Sequence, residues 1–282
     1  MWISDKWSEY ELLDCSSGER LERWGKHILI RPDPQVVWET TKENPYWNKA
    51  NAHYHRSSTG GGQWSKKEIP DKWEIAYKDL SFYVNLMNFK HTGLFPEQAV
   101  NWDYIIDKIK NANRNINVLN LFAYTGGATL AASSAGAQVC HVDAARNMVS
   151  RARDNAKLSG LEEKPTRWIV DDCSKFVKRE INRGRRYDAI IMDPPSYGRG
   201  PSGEVWKLED DLYEFLKLCG EVLSDKPLFV LINSYTTGLS PSTLSYITQS
   251  VLGGKAESQE LGIPVTSSGL TLPCGAACRW SA

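Results

Sequence analysis

Asn117-Val-Leu-Asn-Leu-Phe-Ala-Tyr-Thr-Gly-Gly127 decides the fold of this chain. It reads as a buried strand that runs into a glycine turn and then into a helix of small residues. Glycine lacks a Cβ and tolerates positive φ, so a backbone of this shape can approach a nucleotide-like ligand closely. Working outward, the next apolar run, His141-Val-Asp143, ends on an acid seventeen positions after Gly126. A later run, Asp188-Ala-Ile-Ile-Met-Asp193, ends in Asp193-Pro194-Pro195-Ser196.

From about Phe95 onward, strands and helices alternate. The expected strands are 117–122, 138–142, 167–170, 188–192 and 228–232, with final strands near 258–261 and 276–280. The expected helices are 127–135, 146–158, 173–182, 209–223 and 240–251. In the second of these, Val149, Ala152 and Ala156 share one face, while Arg151, Arg153, Asp154 and Lys157 face water. This alternation predicts a parallel sheet covered by helices on both faces.

The first 90 residues have a different rhythm. Short β-type runs at 10–13, 27–30, 36–38, 73–77 and 81–84 alternate with turns, and Gly60-Gly-Gly62 reads as a flexible turn among them. Seven of the eleven tryptophans lie at or before Trp73, which marks this segment as a separate module. The expected division is therefore 1–90, a tryptophan-rich β module, and 91–282, an α/β domain.

The 282 residues are enough for a sizeable core, and the formal net charge is zero. That balance argues against attachment to nucleic acid by bulk charge, though local patches remain open. No apolar run reaches the roughly 18 residues of a membrane span. The opening Met1-Trp-Ile-Ser-Asp-Lys6 lacks the pattern of a secretion signal. Six scattered cysteines fit a reduced, cytoplasmic protein. Cys274 and Cys278 have the spacing of half a zinc site, but no second pair completes it, so no metal is expected.

In an open parallel sheet, ligands lie past the carboxyl ends of the strands. Ala123–Gly127 falls there, and the helix that follows would offer free N–H groups to a ligand carboxylate. Asp143 suits bidentate acceptance from two ribose hydroxyls; its other reading is a cap for the helix after it. Asp172, with the Cys173 N–H, suits an adenine amino edge or, equally, a helix cap, and Asp171 is expected to face solvent. Asp193-Pro-Pro is stiff and places an acid at the sheet's edge, with carbonyls free to accept. The segment Tyr124-Thr-Gly-Gly-Ala-Thr129 does not match the Gly-x-Gly-x-x-Gly of dinucleotide enzymes, and no Gly-Lys-Ser/Thr phosphate loop occurs.

The glycine loop, Asp143, Asp172 and Asp193-Pro-Pro, in this order, resemble the class I S-adenosylmethionine-dependent methyltransferases. Asn120–Gly127 and Val170-Asp-Asp172 are similar to the cofactor motifs of the bacterial large-subunit (23S) rRNA methyltransferase group that includes cytosine-C5 enzymes. Lys90–Gln98 resembles the segment that enters that group's catalytic domain. The resemblance implies a Rossmann-like seven-stranded methyltransferase sheet preceded by the small β-rich module. It implies S-adenosylmethionine as cofactor, held by Phe122, Tyr124, Thr125, Gly126, Gly127, Asp143, Ala144, Asp172, Cys173, Asp193 and Gln98. The catalytic set is then Asp193, Pro194, Pro195 and Ser196.

This chain departs from the C5 enzymes, whose attacking cysteine follows the fifth strand: here Ile232-Asn-Ser-Tyr-Thr-Thr-Gly238 holds none. Ser196 also stands where amino-methylating enzymes carry an aromatic residue, with Tyr197 one position later. Direct transfer to nitrogen or oxygen is expected, with RNA as acceptor. Lys42, Lys49, Arg56, Lys66 and Lys67 interleave with Tyr46, Trp47, His53, Tyr54, His55 and Trp64, a pattern that suits phosphates and base stacking; a structural core with a solvated face reads equally well. Arg179, Arg183, Arg185 and Arg186 form a second basic cluster. Arg199–Lys207 reads as a lid over the acceptor or a long connection, with Trp206 able to stack. A protein or small-molecule acceptor, or a cofactor-binding module without catalysis, are the alternatives. The sequence does not set the oligomeric state.

Overall fold

The apolar runs 118–121, 189–192 and 229–234 are buried along their whole length, as central parallel strands under two helical layers must be. In the computed structural model, which describes residues 1–57, 61–87, 90–199 and 205–282, they form the centre of one sheet. The chain opens with β1 (Trp2–Ile3), followed by β2 (Tyr10–Ser16), β3 (Glu19–Trp24), β4 (His27–Pro32), β5 (Ala52–Arg56), β6 (Gly62–Lys66), β7 (Trp73–Tyr77) and β8 (Leu80–Val84). Then come α1 (Ala99–Asn111), β9 (Asn117–Leu121), α2 (Gly127–Ser134), β10 (Gln138–Asp143), α3 (Arg146–Leu158), β11 (Thr166–Val170), α4 (Cys173–Asn182) and β12 (Ala189–Met192). The chain continues through β13 (Tyr197–Arg199), β14 (Val205–Lys207), α5 (Leu208–Gly220), β15 (Phe229–Ser234), α6 (Pro241–Leu252), β16 (Lys255–Pro264) and β17 (Thr271–Ser281).

Contacts divide the chain into two units: 3–100 with 262–274, and 1–2 with 101–261 and 275–282. The sequence places the division at residue 90. By contacts it falls ten residues later, and a C-terminal segment returns to the first unit.

In the larger unit the sheet order is β1-β16-β17-β15-β12-β9-β10-β11. The seven expected strands are all present, and the two-residue β1 adds an eighth at the edge. Neighbours from β11 to β15 pair in parallel, and β17 runs antiparallel to β15. Phe176 and Val177 of α4, Leu212, Phe215 and Leu216 of α5 and Leu244 of α6 bury one face of the sheet together with Leu119, Ile190, Val230 and Trp280. The α3 face read from the sequence is buried through Val149, Ala152 and Ala156. Arg151, expected in water, is half-buried, and burial depresses its pKa.

The smaller unit holds the five-stranded sheet β2-β3-β4-β5-β6 and the hairpin β7-β8. Residues 36–38, read as a strand, are a loop. Pro32 and Pro34 remove donors there, and the Asp33 carboxylate accepts from Gln35 N at 2.8 Å, turning the chain. Gly62 is a strand residue rather than part of a turn, and Gly60 lies outside the described residues. Among the described residues, no helix is long and apolar enough to cross a membrane.

Candidate active site

Strand register sets the site. Val142 of β10 and Met192 of β12 both align with Leu121 of β9, and Ile232 of β15 aligns with Met192. The residues that follow, Asp143, Phe122, Asp193 and Asn233, therefore lie in one row at the carboxyl ends of four adjacent strands. At the usual spacing, Asp143 and Asp193 stand ~10 Å apart across this row with the glycine loop between them.

That loop is wound tightly. Phe122, Tyr124 and Gly126 have φ of 53°, 49° and 91°, so two of three left-handed positions are filled by bulky residues. Aromatic side chains rarely take this conformation, and such strain gathers at ligand sites. Several bonds hold it. Tyr124 N donates to Asp143 Oδ2 at 2.9 Å, Ala123 N to Val142 O at 3.1 Å, and Asn155 Nδ2 to Thr125 O at 2.9 Å. Phe122 N lies 3.3 Å from Cys173 Sγ. Phe122 also packs against Trp206 and Phe215, with centroids 5.6 Å away in each case.

The glycines themselves answer to packing. A Cβ on Gly126 would stand 2.9 Å from Ala152 Cβ of α3; on Gly127 it would stand 2.7 Å from Trp102 Cζ2 of α1. They let the loop sit against two helices, where the sequence suggested room for a ligand.

Asp143 is half-buried beside the loop, and Ala144 next to it is exposed. Asp143 Oδ1 accepts from Ala145 N at 2.8 Å, but Ala145 is the cap residue of α3, so Asp143 is not its side-chain cap. Burial raises its pKa, opposed by the N–H groups of Ala145 and Tyr124. Each carboxylate oxygen keeps a lone pair for a further donor.

Asp172 is exposed and caps α4, accepting from Lys175 N at 2.8 Å. Asp171, expected in solvent, pairs instead with Arg179 and is half-buried. Cys173 is buried, and burial drives its thiol pKa far up. All six cysteines are buried and unpaired. Cys274 lies 3.7 Å from Arg20 Nη2, whereas Cys278 bonds Thr248. Among the described residues, no group of three or more His, Cys, Asp or Glu is placed to hold a metal.

Asp193 N donates to Leu121 O at 3.4 Å, tying β12 to the start of the glycine loop. Pro194 is buried, Pro195 exposed and Ser196 half-buried. The carbonyls after the acid are not all free, as the sequence suggested: Pro195 O accepts from Trp206 Nε1 at 2.7 Å and Ser196 O from Leu208 N at 3.1 Å. Trp206 is thus committed to Pro195, Phe122 and Phe215, rather than open to stack on an acceptor. Tyr197–Arg199 and Val205–Lys207 pair antiparallel, so the ends of the expected lid form a hairpin; its residues 200–204 lie outside the described residues.

Gln98 belongs to the other unit, in the turn Pro96–Gln98, and is buried. Its assignment rests on the resemblance alone. Sequence reasoning missed α1, whose Asn101 Nδ2 donates to Asn233 Oδ1 at 3.0 Å and whose Asn101 Oδ1 accepts from Arg279 at 2.8 Å. It also missed Asn155, a polar residue on the buried face of α3.

A family model described as S-adenosylmethionine-dependent methyltransferase matches residues 40–241. The crystal structure of a SAM-dependent methyltransferase from Agrobacterium tumefaciens superposes with a TM-score of 0.91 at 35% identity, covering 97% of this chain and 90% of that one. Ribosomal RNA large subunit methyltransferase I of Aeromonas salmonicida is 35% identical over 44% of this chain and 30% of its own length. Ribosomal RNA large subunit methyltransferase K/L of Shewanella frigidimarina is 32% identical over 54% of this chain and 21% of its own. The matches thus span less than a third of these curated relatives. By the family match over 40–241 and the likeness to the Agrobacterium structure, the chain belongs to the S-adenosylmethionine-dependent methyltransferases.

Proposed function

We propose that this methyltransferase acts on RNA, by direct transfer to a nitrogen or oxygen nucleophile. The observation that carries the reaction type is the row of Asp143, the Phe122–Gly127 loop and Asp193, level at the strand ends. S-adenosylmethionine, when bound, supplies a methyl group already activated on a sulfonium. The first turn of α2 fits its carboxylate, because the opening N–H groups of a helix have no partner within it. The two remaining lone pairs of Asp143 fit two ribose hydroxyls. The outer oxygen of Asp172 and the Cys173 N–H fit the adenine edge.

The chain's own work is alignment. Asp193 orients the nucleophile and takes its proton. Among the described residues, no donor bonds the Pro194 carbonyl, which leaves it for an acceptor amino hydrogen. Holding the two reactants in line accounts for most of the acceleration. Covalent C5 chemistry needs an accessible thiolate, and the cysteines here are buried, with thiol pKa values raised by burial; Cys274 is pushed up to about 12.

Support for RNA comes from the names of the curated relatives and from cations on the smaller unit. Lys49, Arg56, Lys66 and Lys67 are exposed there, with Tyr46 also exposed. Other parts of that basic-aromatic stretch are structural. Lys42 pairs with Glu19, Trp47 Nε1 donates to Asp14, Trp64 Nε1 donates to Met87 O, and Tyr54 is buried. These fixed aromatics favour the second reading, a protein or small-molecule acceptor.

Asp193→Asn keeps the shape and one acceptor oxygen that the cofactor would meet but removes the base, so it is expected to reduce methyl transfer at least a hundredfold while leaving S-adenosylmethionine affinity within about threefold. Labelled cofactor supplied with total RNA or with protein extract measures both points. Label in protein alone would overturn the RNA acceptor, and full turnover by the variant would remove Asp193 from the chemistry.

A further inference from the structure

The larger unit has a second feature at the opposite end of its sheet. A cavity of about 490 Å³ opens where β9, β10 and β11 begin, lined by Asn117, Gln138, Arg167, Arg185, Arg186 and Tyr187 among others. Among the described residues, no carboxylate lines it. A five-residue strand spans roughly 15 Å, so an occupant here is remote from the reacting atoms at the carboxyl ends.

The arginines are arranged around one buried carboxylate. Glu180, fully buried, accepts from Tyr187 OH at 2.5 Å, Arg183 Nη1 at 2.9 Å and Arg167 Nη1 at 3.3 Å, and Arg185 Nε lies 3.9 Å away. Burial would raise the Glu180 pKa, but Tyr187, Arg183 and Arg167 outweigh it and hold it below the usual range. Arg186 meets no carboxylate among the described residues; its Nη1 donates to Arg185 O at 3.0 Å. Three guanidinium groups thus share one negative charge, with Arg186 as a fourth cation beside them. Glu180 takes one guanidinium nitrogen of each of the three, while Arg183 and Arg185 remain more than half exposed.

We propose that this pocket holds a backbone phosphate of the RNA, away from the nucleotide being methylated; the inference rests on the RNA reading above. Guanidinium forks match phosphate oxygens two at a time, and the Asn117 and Gln138 amides add neutral donors at the rim. The chain has no net charge, so its hold on a polyanion must be concentrated in patches such as this one. A structured RNA wide enough to reach both ends of the sheet is then clamped at two points, which sets the angle at which the acceptor enters.

The test is Arg185→Gln/Arg186→Gln. Both side chains are exposed, so the fold should survive. Binding of an unmodified large-subunit ribosomal RNA transcript is measured by filter retention across a salt series, with S-adenosylmethionine titrated in parallel. The expected result is roughly tenfold weaker RNA binding near physiological salt, a salt slope smaller by about 1, as loss of one phosphate contact requires, and unchanged cofactor affinity. Wild-type affinity and slope in the variant would overturn the pocket's role and leave the RNA reading standing. A wild-type protein that neither binds nor methylates RNA would overturn both. If the variant loses only the stabilisation given by inorganic phosphate and keeps its RNA affinity, the site belongs to a free phosphate and the inference fails. Retention of an acidic peptide in place of RNA would fail it too.

Discussion

His141 shows how one side chain can link stability to pH in this fold. It is fully buried, and Thr129 Oγ1 lies 2.9 Å from its Nδ1 while accepting from Asn120 Nδ2 at 2.8 Å. With Asn120 donating, the threonine hydroxyl donates to Nδ1, and the imidazole proton sits on Nε2, beside Trp168. Burial, helped by the charge of Arg153, lowers the His141 pKa from 6.5 to about 3. The folded state therefore holds the neutral form, and unfolding takes up a proton below pH 6.5. Its contribution is complete above 6.5 and falls by about 1.4 kcal/mol per pH unit as the solution is acidified, levelling off near the folded value. Between pH 7 and pH 5 the loss is about 2 kcal/mol. His27 and His91 also have depressed pKa values, so the readout is the difference between wild type and His141→Gln in denaturant unfolding at the two pH values. The variant should start less stable and lose about 2 kcal/mol less on acidification; parallel losses would show that His141 is not the linked group.

At the scale of elements, much of the catalytic sheet was legible and its fastening was not. The helices 146–158 and 173–182 form as read, because each carries an apolar stripe on a single segment, and Asp172 caps the second. Strand β3 was missed because its buried positions include Glu22, which only the Arg31 fork and Tyr10 OH across the sheet make compatible with burial. Helix α1 was missed too, and with it the reason for Gly127. Trp102 is buried against that glycine, and no local pattern joins residues 25 positions apart. Gly127→Ala should cost about 1 to 3 kcal/mol by overpacking, without any φ penalty, because Gly127 is not left-handed. Trp102→Phe leaves a smaller ring and costs stability by itself, but the double variant should be more stable than the sum of the two losses by at least about 0.5 kcal/mol. Additive losses in thermal or denaturant melts would mean that the glycine is there for another neighbour. The acids of the site were readable as positions, since each ends an apolar run. What they bond was not: Asp143 serves the loop backbone, and Trp206 serves Pro195.

For the whole molecule, chain connectivity matters more than the boundary near residue 100. The smaller unit is discontinuous, made of 3–100 and of 262–274, which comprises the end of β16, the turn after it and the start of β17. Within it, Thr266 N donates to Leu12 O at 2.9 Å, Ser267 N to Leu13 O at 3.0 Å, and Ser267 Oγ to Asp14 Oδ1 at 2.7 Å. Ile263, Val265 and Leu272 of the same segment are buried. A fragment of residues 101–282 would strip that segment of its backbone partners and expose its apolar side chains. Exposed strands of this kind favour association between copies. The fragment is therefore expected to aggregate or to melt without a sharp transition. Replacing 262–274 by a short Gly-Ser turn between the retained parts of β16 and β17 should restore a cooperative melt, because β9 to β12, β15 and the α4–α6 packing lie entirely within the larger unit. Calorimetry of the two fragments decides it. If the simple truncation melts as sharply as the turn-replaced form, the returning segment is an ornament on a self-sufficient catalytic unit. If only the replaced form does, the two units are bound by chain topology, and the smaller one cannot be exchanged by recombination at its N-terminal boundary alone.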